Sequence, residues 1–194
     1  MDLIFATHNS NKAEEINNLL DSFWNIRSLD DAGIIQEIPE TGTTLEANAL
    51  EKTRYVWNQL QTSCFGDDTG LEIDALGGAP GVYSARYAGP EKDSFRNMQK
   101  VLDEMRDVSN RRARFRTIIA LIIDGREMLF EGRVEGMILS EMTGDQGFGY
   151  DPIFQPDEAD VSFAQMSMEE KNRISHRARA MHKLVDYLKS IKSQ

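Results

Sequence analysis

The chain has 194 residues, 28% of them charged and 40% hydrophobic, with a net charge of −10. That length supports one domain with a sizeable core. The negative balance disfavours broad binding to a phosphate backbone, so nucleic acid is not an expected partner. A single cysteine, Cys64, rules out a disulfide within the chain. Its apolar neighbours make it a buried structural thiol rather than a nucleophile. Asp2 stands where a signal peptide would carry cations, and the aliphatic run Ile118–Ile123 is too short to span a bilayer. The expected setting is the cytoplasm, with no membrane partner.

Leu3-Ile-Phe-Ala6 reads as a buried strand. Thr7-His-Asn-Ser-Asn-Lys12 follows, then a helical stripe of Ile16, Leu19 and Leu20 with Asn11 and Glu14 at cap spacing. A polar turn before a helix start can bind an anion through outward N–H groups, or be a plain cap with a surface lysine. Residues 22–42 read as irregular. Pro39-Glu-Thr-Gly42 then offers Glu40 as a magnesium ligand or a solvated acid. Thr43-Thr-Leu-Glu46 is a capping-box pattern opening a helix with Leu45, Ala49, Val56 and Leu60 near one face.

Next comes Phe65-Gly-Asp-Asp-Thr-Gly-Leu71. Two adjacent carboxylates between glycines suit either a magnesium site for phosphate chemistry or a solvated acidic turn. Leu71–Ala75 alternates as a strand does. Gly77-Gly-Ala-Pro-Gly-Val-Tyr-Ser-Ala-Arg-Tyr87 is a constrained loop carrying Arg86, either for a ligand or for an internal ion pair. Asp93 is placed to cap a helix with Phe95, Met98, Leu102 and Met105 inward.

Arg114–Ile123 and Met128–Ile138 read as strands joined by a tight hairpin at Asp124-Gly125. In Gly147-Phe-Gly-Tyr-Asp151, Phe148 can stack on a base or plug a core, and Asp151 can accept a hydrogen bond. Ser167-Met-Glu-Glu170 is a second capping-box pattern, opening one long helix to about Lys189 with Ile174, Ala178, Met181, Val185 and Leu188 inward. Lys171, Arg173, His176 and Arg177 form a cationic cluster in its first turns, an anion site or a solvated basic face. No zinc or Ser–His–Asp pattern occurs. The element order is mixed α/β.

Five of these segments, in this order, resemble the purine nucleoside triphosphate pyrophosphatases that act on inosine, deoxyinosine and xanthosine triphosphates (ITP, dITP, XTP). The most specific are Asp67-Asp-Thr-Gly-Leu71, Leu76–Tyr87, Gly147-Phe-Gly-Tyr-Asp-Pro-Ile-Phe154 and Ile174-Ser-His-Arg177. The resemblance implies an elongated mixed sheet with flanking helices, one domain over residues 1–194 with two lobes around a central nucleotide cleft, and a homodimer. It implies magnesium-dependent hydrolysis between the α- and β-phosphates, cleansing the nucleotide pool.

By the same resemblance, Asp68 is the catalytic base and a metal ligand, with Glu40 as second ligand. Thr7, His8, Asn9, Ser10, Asn11 and Lys12 bind the triphosphate, and Thr69 touches substrate. Phe148, Gly149, Tyr150, Asp151, Lys171, His176 and Arg177 bind the nucleotide, the last pair near the base. His8 occupies a variable position, and Thr69 stands where many relatives have serine. The alternatives are a pyrophosphatase for other modified nucleotides, such as methylated pyrimidines, and a non-catalytic nucleotide-binding module.

Overall fold

The structure is a computed structural model, and it describes residues 1–8, 13, 16, 20 and 23–192. Most of the expected first helix, and with it Asn9, Ser10, Asn11 and Lys12, lies outside the described residues. Six strands form one mixed sheet in the order β2-β1-β3-β4-β5-β6. They are β1 (Asp2–Phe5), β2 (Asn25–Arg27), β3 (Cys64–Ile73), β4 (Arg112–Ile123), β5 (Arg126–Ile138) and β6 (Phe154–Pro156). β1 runs parallel to β2 and to β3, while β6 is antiparallel to β5. Asp124 and Gly125 both have positive φ, 49° and 75°, as a two-residue hairpin between right-twisted strands requires. β2 lies inside a stretch expected to be irregular; three residues are too few to show an alternation.

The chain packs as two compact units: Met1–Asp68, Ile118–Glu131 and Ala180–Gln194 in the first, Thr69–Thr117 and Gly132–Arg179 in the second. In the first unit the strands bury both faces, and the strand period of two sorts the side chains. Leu3, Phe5, Phe65, Ile119 and Leu121 join Ala180, Met181, Leu184, Val185 and Leu188 of the last helix in one cluster. Ile4, Ala6, Cys64 and Ile122 face the other way, with Leu29, Ile34 and Val56. Phe5 and Phe65, paired across adjacent strands, stack at 4.4 Å. Cys64 is buried, and desolvation pushes its thiol up to about 12, which makes it inert.

Helix α1 (Leu45–Leu60) starts one residue later than the sequence pattern suggested. Thr44, not Thr43, is the cap: its hydroxyl accepts the Ala47 N–H at 3.1 Å. Ala47 therefore takes the third helical position, so Glu46 cannot close a capping box.

The second unit builds its core from Leu71, Ile73, Phe115, Val134, Ile138, Phe154 and Phe163, covered by Met98 and Val101 of α2 (Ser94–Glu104) and by Met105, its C-cap. Asp93 caps α2 by accepting the Arg96 N–H at 3.0 Å. Phe95, expected inward, is 62% exposed. It sits in the first turn, where the buried stripe has not yet begun.

The expected single C-terminal helix is two: α3 (Met168–Ile174) and α4 (His176–Lys192). The Ser167–Glu170 capping box is present. Ser175 is extended (φ −65°, ψ 148°), which ends α3. Its hydroxyl then accepts the Ala178 N–H at 3.2 Å and so caps α4. The apolar spacing runs through this break and hides it.

Gly136 of β5 lies against the β6 backbone. A Cβ there would sit 2.2 Å from the Gln155 carbonyl oxygen and 2.7 Å from the Phe154 ring. Gly136→Ala is therefore expected to cost about 1–3 kcal/mol by overpacking. Urea unfolding checks this, and an unchanged midpoint would refute the contact. No helix among the described residues is long and apolar enough to cross a membrane.

Candidate active site

Asp67 and Asp68 do not form a turn. They lie within the continuous strand β3, whose consecutive side chains point to opposite faces. Gly66 explains how the helix comes near: a Cβ there would meet Thr53 Oγ1 at 3.0 Å and Lys52 Cβ at 3.3 Å. The glycine makes room for α1 rather than for a turn.

The buried stripe of α1 is apolar at Leu45, Ala49 and Val56 but also carries Asn48, Lys52 and Thr53. Thr53 is satisfied internally, donating to the Ala49 carbonyl at 2.7 Å. Asn48 and Lys52, four residues apart and so on one face, converge on Asp68. Asn48 Nδ2 donates to Asp68 Oδ2 at 3.1 Å. Lys52 Nζ stands 3.5 Å from Asp68 Oδ1 and 2.7 Å from Glu40 Oε1. Burial raises the Asp68 pKa; Lys52 and Asn48 pull it down, Glu40 and Asp67 push it up, and it ends above the ordinary value. Burial pulls Lys52 down, but the Asp68, Asp67 and Glu40 carboxylates outweigh it and the ammonium ends raised. The result is a desolvated carboxyl beside a buried cation.

Thr7 and His8 follow β1 in the same unit. The Thr7 carbonyl accepts the Leu29 N–H at 2.9 Å. His8 Nδ1 lies 2.7 Å from Asp30, whose hydrogen bond raises the histidine pKa.

The second unit holds the other predicted residues. Lys171 and Asp151, both buried, form an ion pair. Asp151 also accepts the Phe148 N–H at 2.8 Å. Gly147 permits that turn, since its φ is +76° and a Cβ would strike Asp151 Oδ2. Phe148 is 66% exposed, so it plugs no core. The Lys171 ammonium lies 4.8 Å, and the Arg177 guanidinium 5.8 Å, from its ring centre. Tyr150 is buried and donates its hydroxyl to the Ser84 carbonyl at 2.8 Å, bracing the 81–86 loop. Gly149, just before Tyr150, has φ +64°. Arg86 lies over the Tyr83 ring at 5.3 Å. His176 stacks on Phe115 at 4.8 Å, and Thr69 and Thr117 share a hydrogen bond of 2.7 Å.

Sequence reasoning missed Asn48, Lys52, Phe115 and Thr117. The one available signal was Asn48 and Lys52 interrupting the apolar stripe of α1.

A family model for the Ham1 family matches residues 3–187. The chain belongs to the Ham1 family. Within it, the chain is 50% identical to a dITP/XTP pyrophosphatase of Christiangramia forsetii, covering 97% of this chain and 99% of that one. It is 45% identical to a protein of the same description from Bacillus subtilis, covering 97% and 98%. Among solved structures, the Ham1 protein of Staphylococcus aureus superposes with a TM-score of 0.93 at 34% identity, covering 98% and 99%. The Ham1 match spans the acidic set, the cation–aromatic set and the segment holding Asn9–Lys12.

Among the described residues, no three His, Cys, Asp or Glu side chains are grouped to hold a metal unaided. Magnesium does not need such a cage. It is commonly bound by one or two carboxylates with waters and substrate phosphates. Asp68 and Glu40 are hard oxygen donors, and both already face a cation, Lys52. This donor pair could therefore hold a hard divalent cation together with waters and substrate phosphates.

Proposed function

We propose that this chain hydrolyses the α–β phosphoanhydride of deaminated purine nucleoside triphosphates (dITP, XTP and ITP), releasing the monophosphate and pyrophosphate. One observation carries the reading: a largely buried carboxyl, Asp68, raised by desolvation and held by Asn48 and Lys52 opposite Glu40. A base with a raised pKa accepts a proton from water more readily than a solvated aspartate does. Relatives described as dITP/XTP pyrophosphatases support the substrate class.

Asp68 and Glu40 would hold magnesium, which would offset the charge of the triphosphate. Asn48 fixes the Asp68 carboxylate, so one oxygen is oriented before substrate arrives. Thr7 to Lys12 would contact the phosphates. On the base side, Phe148 presents an exposed ring face, and stacking there is worth about 1–3 kcal/mol. Arg177 is donor-only, so it suits the C6 oxygen of a deaminated purine and has nothing to accept the amino group of adenine. Such a polar mismatch can reject the wrong base by about 10⁴-fold.

The test is pyrophosphate release from ITP, with ATP and a methylated pyrimidine triphosphate alongside, with and without magnesium. Magnesium-dependent release confined to ITP is the expected result. Faster turnover of the pyrimidine would overturn the substrate class. Tight binding without hydrolysis would leave a nucleotide-binding module.

A further inference from the structure

The segment that carries Glu40 has no regular structure: residues 37–42 belong to neither helix nor strand. Contacts outside the segment must therefore fix the Glu40 carboxylate opposite Lys52 and Asp68. Two consecutive peptide groups after Glu40 are tied to α1. The Thr41 N–H donates to Glu51 Oε2 at 2.8 Å, and the Thr41 hydroxyl donates to Glu51 Oε1 at 2.8 Å. The Gly42 N–H donates to Asn48 Oδ1 at 2.8 Å. Gly42 also lies close against the start of α1, since a Cβ there would sit 2.7 Å from Ala47 Cβ.

Asn48, Glu51 and Lys52 are spaced i, i+3 and i+4, which puts them on one side of the helix. Each holds a different part of the same loop. Asn48 takes the Gly42 amide, Glu51 takes both donors of Thr41, and Lys52 meets the Glu40 side chain. The N–H that Glu51 accepts belongs to the peptide joining Glu40 to Thr41. The orientation of that peptide sets where the Glu40 side chain leaves the chain. The Thr41 N–H, and then its hydroxyl, hold the Glu51 carboxyl below its ordinary pKa. An ionised carboxylate only accepts, and it can take both bonds at once.

We propose that Glu51 is a positioning residue: by holding the Glu40–Thr41 peptide on α1, it keeps the Glu40 carboxylate in place for a divalent cation shared with Asp68. This rests on the pyrophosphatase reading above, with Glu40 as a ligand. A loop released from α1 would have to be ordered when the cation arrives. That ordering cost falls on cation affinity rather than on the chemical step. In this role Glu51 acts through the loop and touches neither cation nor substrate.

The test compares the full chain with its Glu51→Ala and Glu51→Gln variants. Glutamine keeps an acceptor for the Thr41 N–H and a donor for the Thr41 hydroxyl oxygen, but it carries no charge. In the alanine variant the magnesium concentration for half-maximal pyrophosphate release from ITP should rise about tenfold, the scale of one or two hydrogen bonds. The rate at saturating magnesium should stay within about twofold. Calorimetric titration of magnesium into the protein bound to α,β-methylene inosine triphosphate should show the same loss of affinity. In the metal-free protein the Thr41 amide hydrogen should exchange faster, while the interior of α1 keeps its protection. Glutamine should bring midpoint, affinity and exchange back to within about threefold of the parent. Should the alanine variant not fold, Thr41→Val removes one bond from the loop side and should raise the magnesium midpoint about threefold. An unchanged midpoint in whichever variant folds overturns the role of Glu51 and spares the pyrophosphatase reading. A glutamine variant as impaired as the alanine one would show that charge acts and not placement, and overturns the role equally. No release from ITP by the unmodified protein at any magnesium concentration overturns both.

Discussion

Asp68→Asn is expected to lower pyrophosphate release from ITP by about 10³-fold or more, because it removes the proposed base and a metal ligand together. The same change should not harm the fold. Burial is the largest influence on the Asp68 carboxyl, and its pKa in the folded chain lies above the ordinary value. A carboxyl raised in this way binds its proton more tightly folded than unfolded. Its ionisation therefore costs stability above the folded pKa, and the cost fades as pH falls through that pKa toward the unfolded value. A neutral amide carries no such cost. In metal-free buffer at neutral pH the melting temperature of the variant should equal or exceed that of the parent. The difference should close on acidification. Near-normal turnover would remove Asp68 from its role, and a melting temperature several degrees lower would refute the desolvation account.

How far the sequence disclosed this arrangement depends on whether the signal is local. The Asp124-Gly125 hairpin was legible because a two-residue turn needs positive φ at both positions. The Ser167–Glu170 capping box was legible for the same kind of reason, being complete within four residues. The acidic pair was placed wrongly, in a turn. Asp and Gly are turn residues by propensity. What keeps them in a strand is α1 packed over Gly66, a partner 13 or 14 residues earlier in sequence through Thr53 and Lys52. The break at Ser175 was hidden because the apolar period continues across it.

The site divides in the same way. Asp68, Lys171 and His176 stood out through ordered motifs and a family resemblance. The groups that tune them did not. Asn48 reaches Asp68 from 20 residues away, and Thr117 reaches His176 across 59. Neither residue is distinctive in its own stretch of chain; each acquires a role only through tertiary packing.

Lys171→Met should be the most destabilising of the substitutions considered. Asp151 is 3% exposed, and the Lys171 ammonium is its ionic partner. Removing one member of a buried pair leaves the other charge desolvated, at a cost of about 3–5 kcal/mol. The Phe148 N–H remains on Asp151, but one neutral donor does not replace an ammonium. Replacing both charges behaves differently. Lys171→Met with Asp151→Asn leaves no orphaned charge and should recover most of the lost stability. Activity should not recover with it. The ammonium lies 4.8 Å from the centre of the exposed Phe148 ring, where a base is proposed to stack. Its loss should raise the KM for ITP about tenfold in both variants, on the scale of a cation–π contact with a lost charge. Urea unfolding of the parent, both single variants and the double variant gives the coupling energy directly. Additive single costs would show that the pair is not an energetic unit. A KM that recovers with stability would show that Lys171 serves only to neutralise Asp151, leaving Arg177 as the cation that meets the nucleotide.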